Sequence, residues 1–529
     1  MEPLTWGGLS TTIALALGLG ALLVAGCAGL PSLEDRTVST AFVDTGDTAL
    51  ARSIAGGIAA NPGRTGIFVL DVPHDAFAAR ALLARAAERS LDVQYYIWRN
   101  DTTGNLLMEE LWNAARRGVR VRLLLDDNGI PGLDDRLVAL DSHPNIEVRL
   151  FNPFVNRRSR VLGYLGDFSR LNRRMHNKSF TADGQATIVG GRNIGDEYFG
   201  AGDGMLFEDL DVLAVGAVVA DVSRAFDAYW ASDSAYPIGS IVGQADADRV
   251  AASEAAFAAV RASPAATRYI DAVGTAPMVK ALLDRDLALE WVPAQLVVDD
   301  PAKILGKASR EDLLINHLQQ AVGPIERELD IVSPYFVPGS AGTESLAAVP
   351  ARGVRLRILT NSLAATDVGA VHAGYAKRRK DLLRHGVRLY ELKPDIRAQE
   401  ERGSRPKAAK GTGSAPGSSS ASSLHAKTMA ADRSRIFVGS FNLDMRSVGL
   451  NTEMGLVMES EALAGRLSGM FDRDVPLAAY EVRLAADGDL EWVERTAGGE
   501  VVHRKEPNTG WFKRLGVGFM SLLPIDWML

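Results

Sequence analysis

Two stretches of this chain spell one pattern: His176-Asn177-Lys178-Ser179-Phe180-Thr181-Ala182-Asp183 and His425-Ala426-Lys427-Thr428-Met429-Ala430-Ala431-Asp432. In both, lysine stands two after histidine and aspartate seven after. Asparagine, Asn193 or Asn442, stands seventeen after, at the end of Gly190-Gly191-Arg192-Asn193 or Gly439-Ser440-Phe441-Asn442. Residues i and i+2 of a strand share a face, so each histidine is expected to project beside its lysine. One such octet means little in a chain of 529 residues. Two, each with the same downstream asparagine, point to a duplicated unit.

The surrounding sequence repeats with the motif. In the first half a helical pattern at 76–90 leads into the apolar run 91–98, a second helical pattern at 106–117, and strand-like runs at 119–125 and 146–151. In the second half a helical pattern at 311–322 precedes strand-like runs at 329–333, 353–359 and 387–392. Gly118-Val119-Arg120-Val121-Arg122-Leu123-Leu124 reappears as Gly353-Val354-Arg355-Leu356-Arg357-Ile358-Leu359. Strands alternating with helices predict an α/β fold with largely parallel strands. Two pseudo-symmetric halves packed face to face would bring both His/Lys pairs to one pocket, with Asn193 and Asn442 on the loops after the strands at 186–189 and 435–438.

The expected division is 1–27 a signal segment, 28–243 the first half, 244–304 a helical linker or insertion, 305–480 the second half, and 481–529 a C-terminal extension. Within the second half, 402–423 is rich in Gly, Ser and Pro and has little to bury, which predicts a mobile loop. Hydrophobic residues make up 47% and charged residues 23%, enough for large cores. The formal net charge of −7 disfavours a surface built for general nucleic-acid binding, and no nucleic-acid partner is expected. Eight scattered histidines and a single cysteine show no metal-ligand spacing, so neither metal nor other cofactor is expected. That cysteine, Cys27, follows the uncharged run 11–26 in the context Leu23-Val24-Ala25-Gly26-Cys27. This resembles a bacterial lipoprotein signal, with Cys27 the lipidated residue and the cell envelope the destination. The first ten residues carry Glu2 and no Lys or Arg, which departs from the usual signal.

Two imidazoles, two ammonium groups and two amides suit a phosphodiester. One imidazole attacks phosphorus and splits a hard displacement into two easier ones. The other gives its proton to the leaving alcohol and takes one from the incoming nucleophile. Lys178, Lys427, Asn193 and Asn442 would hold the nonbridging oxygens, each donor worth about 3 kcal/mol in a dry site. Each histidine needs a partner to fix its tautomer. Glu453 and Asp211, each beyond one motif, are the expected carboxylates. Asp183 and Asp432 are expected to stabilise the turns after the motif strands, and Ser440 is a further phosphate-contact candidate.

The doubled pattern resembles the phospholipase D superfamily. The segments 176–180, 188–199, 439–446 and 523–527 are similar to bacterial cardiolipin synthases, especially those of the C type. The resemblance runs over nearly all of 65–529. It implies phosphatidyl transfer through a phosphohistidine, with His176 as nucleophile and His425 as general acid and base. Phospholipids would be the substrates, phosphatidylglycerol first and phosphatidylethanolamine as a second candidate, and a membrane the partner. Water in place of the second alcohol would make the enzyme a hydrolase yielding phosphatidic acid; related proteins cut DNA, and a non-catalytic lipid binder is the remaining alternative. The cluster Arg157, Arg158, Arg160, Arg170, Arg173 and Arg174 offers a headgroup surface, with a solvated loop as the equal alternative. For Lys377-Arg378-Arg379-Lys380 a charged helix face is the preferred reading. Trp511-Phe512-Lys513-Arg514 and Trp527 suit packing against the core slightly better than a membrane interface. Tyr95, Tyr96 and Trp98 are expected in the core or the pocket wall.

Overall fold

The computed structural model describes residues 29–157, 159–201, 206–283, 287–394, 422–523 and 526. Cys27, Arg158, Trp527 and residues 402–421 of the expected loop lie outside the described residues.

The duplication is visible strand by strand. In the first sheet the central strands lie side by side in the order Asp211–Gly216, Ala186–Gly190, Ser179–Ala182, Ser90–Ile97, Arg120–Gly129, Ile146–Phe151. In the second the order is Met454–Glu459, Arg435–Gly439, Thr428–Ala431, Glu328–Val332, Arg355–Asn361, Arg388–Leu392. The β-rich runs Val-Arg-Val-Arg-Leu-Leu-Leu and Val-Arg-Leu-Arg-Ile-Leu thus occupy equivalent positions, with Val121, Leu123, Leu356 and Ile358 buried.

The sheets are mixed, which corrects the expectation of largely parallel strands. Ser90–Ile97, Arg120–Gly129 and Ile146–Phe151 pair in parallel, as helical crossovers require. The motif strand then pairs antiparallel with both neighbours. The cause is a tight turn: Asp183 and Gly184 both adopt positive φ, 52° and 61°, and fold Ser179–Ala182 back on Ala186–Gly190 as a hairpin. Asp432 repeats this with φ 52°.

The inner faces of the two sheets share one core. Ile67, Val189, Val212 and Ala214 of the first half pack with Val332, Leu359, Val438 and Leu456 of the second. Helices cover the outer faces, among them Pro73–Ala86 and Thr102–Arg116 on one side and Leu314–Val322 and Gly339–Ala351 on the other. The stretch expected as a linker divides its strands: Glu290–Val292 joins the first sheet and Ala294–Val298 the second. Its helices Ala247–Arg261 and Pro264–Gly274 pack on the first half through Phe257 and Tyr269. Ala479–Leu484, Leu490–Thr496 and Gly499–His503 widen the second sheet at its other edge.

The C-terminal helix Trp511–Ser521 buries Val517 alone among its described residues and leaves Trp511 and Phe512 59% and 71% exposed. The preference for core packing of these aromatics is therefore overturned. The helix lies on Gly369–Ala376 by one narrow strip, and its aromatic face points outward.

Candidate active site

Each histidine sits three residues ahead of a motif strand, at the seam between the halves. His176, Lys178, His425 and Lys427 are all buried. The seam is stitched by backbone exchange. The His176 N–H donates to the Thr452 carbonyl at 2.8 Å, and Thr452 returns a bond to Arg174 at 3.0 Å. On the other side His425 and Ala426 donate to the Glu208 carbonyl at 2.8 and 2.9 Å, next to the paired strands Leu206–Glu208 and Ser422–Leu424.

The residue after each of those acceptors carries the orienting carboxylate. Glu453 Oε2 lies 2.8 Å from His176 Nδ1, and Asp209 Oδ2 lies 2.5 Å from His425 Nδ1. Each half therefore supplies the carboxylate for the other half's histidine. With Nδ1–H donated to a carboxylate, Nε2 carries the lone pair. Glu453 is itself fixed by the hydroxyls of Ser440 (2.5 Å) and Ser447 (2.7 Å), so Ser440 acts here as a donor to the carboxylate rather than toward a phosphate.

Asp211 is a correction. Arg80 and Arg192 hold its carboxylate at 2.8 and 3.5 Å, and it makes no contact with either histidine. The register explains why. Asp211 pairs with Gly190, while Gly455 pairs with Gly439, so the counterpart of Asp211 is Gly455 and that of Glu453 is Asp209. Sequence counting hid this, because Asp209 stands sixteen residues after Asn193 but Glu453 only eleven after Asn442.

Asp183 and Asp432 lie at the far ends of the motif strands. Asp183 accepts from the backbone N–H groups of Glu88, Arg89 and Ser90 at 3.0, 2.8 and 2.9 Å. Asp432 accepts from those of Glu326, Arg327 and Glu328 at 3.0, 2.7 and 3.0 Å. Burial opposes ionisation of Asp432, yet these three donors hold its carboxyl below the usual range. Both aspartates tie the turn to the start of a neighbouring element.

The site's electrostatics follow from burial. Desolvation, then Lys178 and Lys427, push His176 down to about 4 against the pull of Glu453. Desolvation, then Lys427 and Lys178, push His425 down to about 3 against Asp209. Each imidazole thus feels the lysine of both halves, which is the mark of one shared pocket. Burial, then Lys427, lowers Lys178 to about 7, and burial lowers Lys427 as well. Burial would raise Glu453 and Asp209, but the facing histidines and lysines hold both below the ordinary range. Each lysine donates to its own histidine's carbonyl, Lys178 at 2.5 Å. Asn193 is held by the Ile97 N–H at 3.1 Å and donates to the Tyr198 hydroxyl at 3.0 Å. Asn442 is buried in the second half's equivalent loop.

Three tyrosines wall the histidines. Tyr96 meets His176 edge-on at 5.0 Å between ring centres, and Tyr198 and Tyr335 meet His425 at 5.4 and 6.3 Å. Tyr95 and Trp98 are core residues: Tyr95 accepts from Arg80, and the Trp98 indole donates to the Gly104 carbonyl. Tyr198, Tyr335 and Asp209 were missed by sequence reasoning, since single tyrosines and a loop aspartate carry no spacing signal. The described arginines of the basic cluster are largely committed internally. Arg157 pairs with Asp127 and Asp134, Arg170 with Asp167, Arg174 with Asp126, and Arg173 donates to the Lys303 carbonyl. Lys377 and Arg378 pair with Asp526, Arg379 with Glu391 and Glu506, and Lys380 with Asp489.

This geometry can present one imidazole lone pair to phosphorus, keep a second imidazole for proton transfer, and offer two ammonium groups to the charged oxygens. The crystal structure of phosphatidylserine synthase from Haemophilus influenzae has the same fold, with a TM-score of 0.53 at 12% identity over 90% of this chain and 99% of that one. Cardiolipin synthase C of Escherichia coli is 50% identical over 470 residues, 89% of this chain and 97% of that protein. An uncharacterised protein of Helicobacter pylori is 31% identical over 94% of this chain and 96% of its own length. A family model described as cardiolipin synthase, PLD-like domain, matches residues 81–230 and 314–475, one match for each half of the duplicated fold. With both halves matched and half-identity sustained along nearly the whole chain, the protein belongs to the phospholipase D-like cardiolipin synthase family.

Proposed function

We propose that the protein transfers a phosphatidyl group between phospholipids and makes cardiolipin. The observation that carries this reading is the crossed pair of histidine–carboxylate contacts, His176–Glu453 and His425–Asp209, over two buried lysines. In the first step His176 Nε2 attacks phosphorus of the donor lipid. A P–N bond forms as the bond to the headgroup oxygen breaks, and that oxygen leaves with a proton from His425. In the second step His425 takes the proton of the acceptor lipid's hydroxyl. The new oxygen bonds to phosphorus, the P–N bond breaks, and His176 is restored. Lys178 and Lys427, with the amides of Asn193 and Asn442, hold the nonbridging oxygens through both steps. Both imidazoles are neutral in the unliganded pocket at pH 7, and the anionic phosphodiester supplies the charge that lets His425 take up its proton.

Membrane association fits the family and the outward aromatic face of Trp511–Ser521. Among the described residues no helix is long and apolar enough to cross a membrane. The proposed tether is a lipid on Cys27 in the bacterial envelope, supported by the small-residue run before it; a Cys27→Ser variant that stays membrane-bound after signal cleavage would reject it.

The deciding experiment incubates purified protein with phosphatidylglycerol alone, then with phosphatidylethanolamine present, and resolves the products. Cardiolipin is expected. Phosphatidic acid as the sole product would assign hydrolysis instead.

A further inference from the structure

The halves are not equally filled. In the first, the helix Val219–Ala231 drives Phe226, Tyr229 and Trp230 onto the inner sheet face, where they bury against Leu124, Phe151 and Met175. Matching ion pairs identify the equivalent helix. Arg122 bridges Asp92 and Asp227 and lies over Phe226; Arg357 bridges Asp330 and Asp472 and lies over Phe471. Val219–Ala231 therefore corresponds to Glu461–Arg473, Tyr229 to Asp474, and Trp230 to Val475. In the sheets, Phe151 pairs with Asp126 as Leu392 pairs with Asn361, so Leu392 replaces Phe151. Leu424 replaces Met175, each directly before its histidine. Two aromatics have become aliphatic, and a third a short carboxylate.

What results is a cavity of about 450 Å³ whose walls include Leu359, Leu392, Leu424, Leu463, Leu467 and Met470. Its charged groups include the Asp71–Arg466 pair (2.6 Å), whose side chains are 43% and 62% exposed and so belong to the rim. Asp209, which orients His425, and Ala426, between His425 and Lys427, also belong to its lining. Protein interiors seldom hold space on this scale, and walls that are mostly aliphatic, with Arg192, Glu208, Asp209, Thr428 and Asp474 as polar exceptions, favour an apolar occupant over water.

We propose that this cavity receives one acyl chain of a phospholipid substrate, so that the second half binds lipid where the first half is closed by its own aromatics. This rests on the phosphatidyl-transfer reading and adds to it a chain-length selectivity. The cavity runs along the Leu424, Ala426 and Thr428 side of the motif segment, behind His425 and Lys427, and meets the site at Asp209.

The test fills the cavity with the first half's own residues, in the double variant Asp474→Tyr/Val475→Trp, and separately with Leu463→Trp. Turnover is compared on dioleoyl and dihexanoyl phosphatidylglycerol in matched micelles. At least a tenfold loss in kcat/KM is expected on the long-chain lipid, with less than a twofold change on the short-chain one. Equal changes on both lipids, or none, would overturn the proposal. In parallel, phosphatidylglycerol with a diazirine midway along one acyl chain is irradiated with the unaltered protein, which does not depend on the variants folding. Label on residues 461–478 is expected; label confined elsewhere overturns the assignment. If the unaltered protein turns over no phospholipid, the transfer reading fails on its own, while the crosslink still reports whether the cavity takes an alkyl chain.

Discussion

Replacing Asp209 by asparagine separates the structural assignment from the one suggested by spacing. The side chain keeps its shape, but the buried contact to His425 Nδ1 at 2.5 Å loses its charge. The amide can donate where the carboxylate accepted, which turns the imidazole to the wrong tautomer. For unit charges about 4 Å apart at an effective dielectric near 20, the lost attraction is about 4 kcal/mol. At ~1.4 kcal/mol per decade this is about a thousandfold in kcat. Asp211→Asn makes the contrast. It leaves His425 untouched but strips the counter-charge from buried Arg80 and Arg192, at about 3–5 kcal/mol of stability. Initial rates of cardiolipin formation, normalised to folded protein, together with thermal melts, check both. The expected pattern is a slow, stable Asp209→Asn and a fragile Asp211→Asn whose folded fraction turns over within about threefold of the parent. If Asp209→Asn stays within tenfold of the parent while Asp211→Asn is stable and inert, the crossed-carboxylate argument is wrong.

Four more outcomes follow from the same geometry. His176→Ala and His425→Ala each abolish turnover with melting temperatures close to the parent; substantial activity in either would refute a shared site. Gly191→Ala places a Cβ 2.1 Å from Asp209 Oδ1, so the carboxylate must move and kcat falls by at least tenfold, read on the short-chain lipid. Asp432→Ala leaves three backbone donors without their acceptor, costing about 2–4 kcal/mol in urea unfolding while the folded fraction keeps its rate. With respect to pH, His176 gains its proton, and loses its lone pair, as pH falls through about 4; Lys178 loses its charge as pH rises through about 7. kcat/KM should therefore decline on both sides of that window, and an unchanged rate at pH 9 would contradict the role given to Lys178. Because unfolded imidazole titrates near 6.5, acidification from 6.5 toward 4 favours the unfolded chain, and melting temperature falls across the same range.

The pairing of His with Lys, the duplication, and the position of most central strands were legible in the chain, because each is local; Asp211–Gly216 and Met454–Glu459 were not read as strands. A two-residue spacing sets a face, and a short apolar run sets a strand. The turn at Asp183 and Asp432 is local, but the donors that hold each carboxylate stand 93–95 and 104–106 residues earlier in the chain, so that contact is tertiary. Strand direction was less legible, because the hairpin at Asp183 and Gly184 depends on positive φ at a turn that alternation does not reveal.

The orienting carboxylates were a tertiary decision. Asp209 and Asp211 are two residues apart and chemically alike, and nothing along the chain separates them. Only the register of Asp211–Gly216 against Ala186–Gly190, together with the Arg80 and Arg192 guanidiniums, withdraws Asp211 from the site and leaves Asp209 to the opposite half. The cavity has the same origin. Leu392, Leu424 and Val475 look like ordinary core residues until their counterparts Phe151, Met175 and Trp230 are seen filling the equivalent volume. Sequence determines which residues prefer to be buried, while packing between distant segments determines how much space remains once they are.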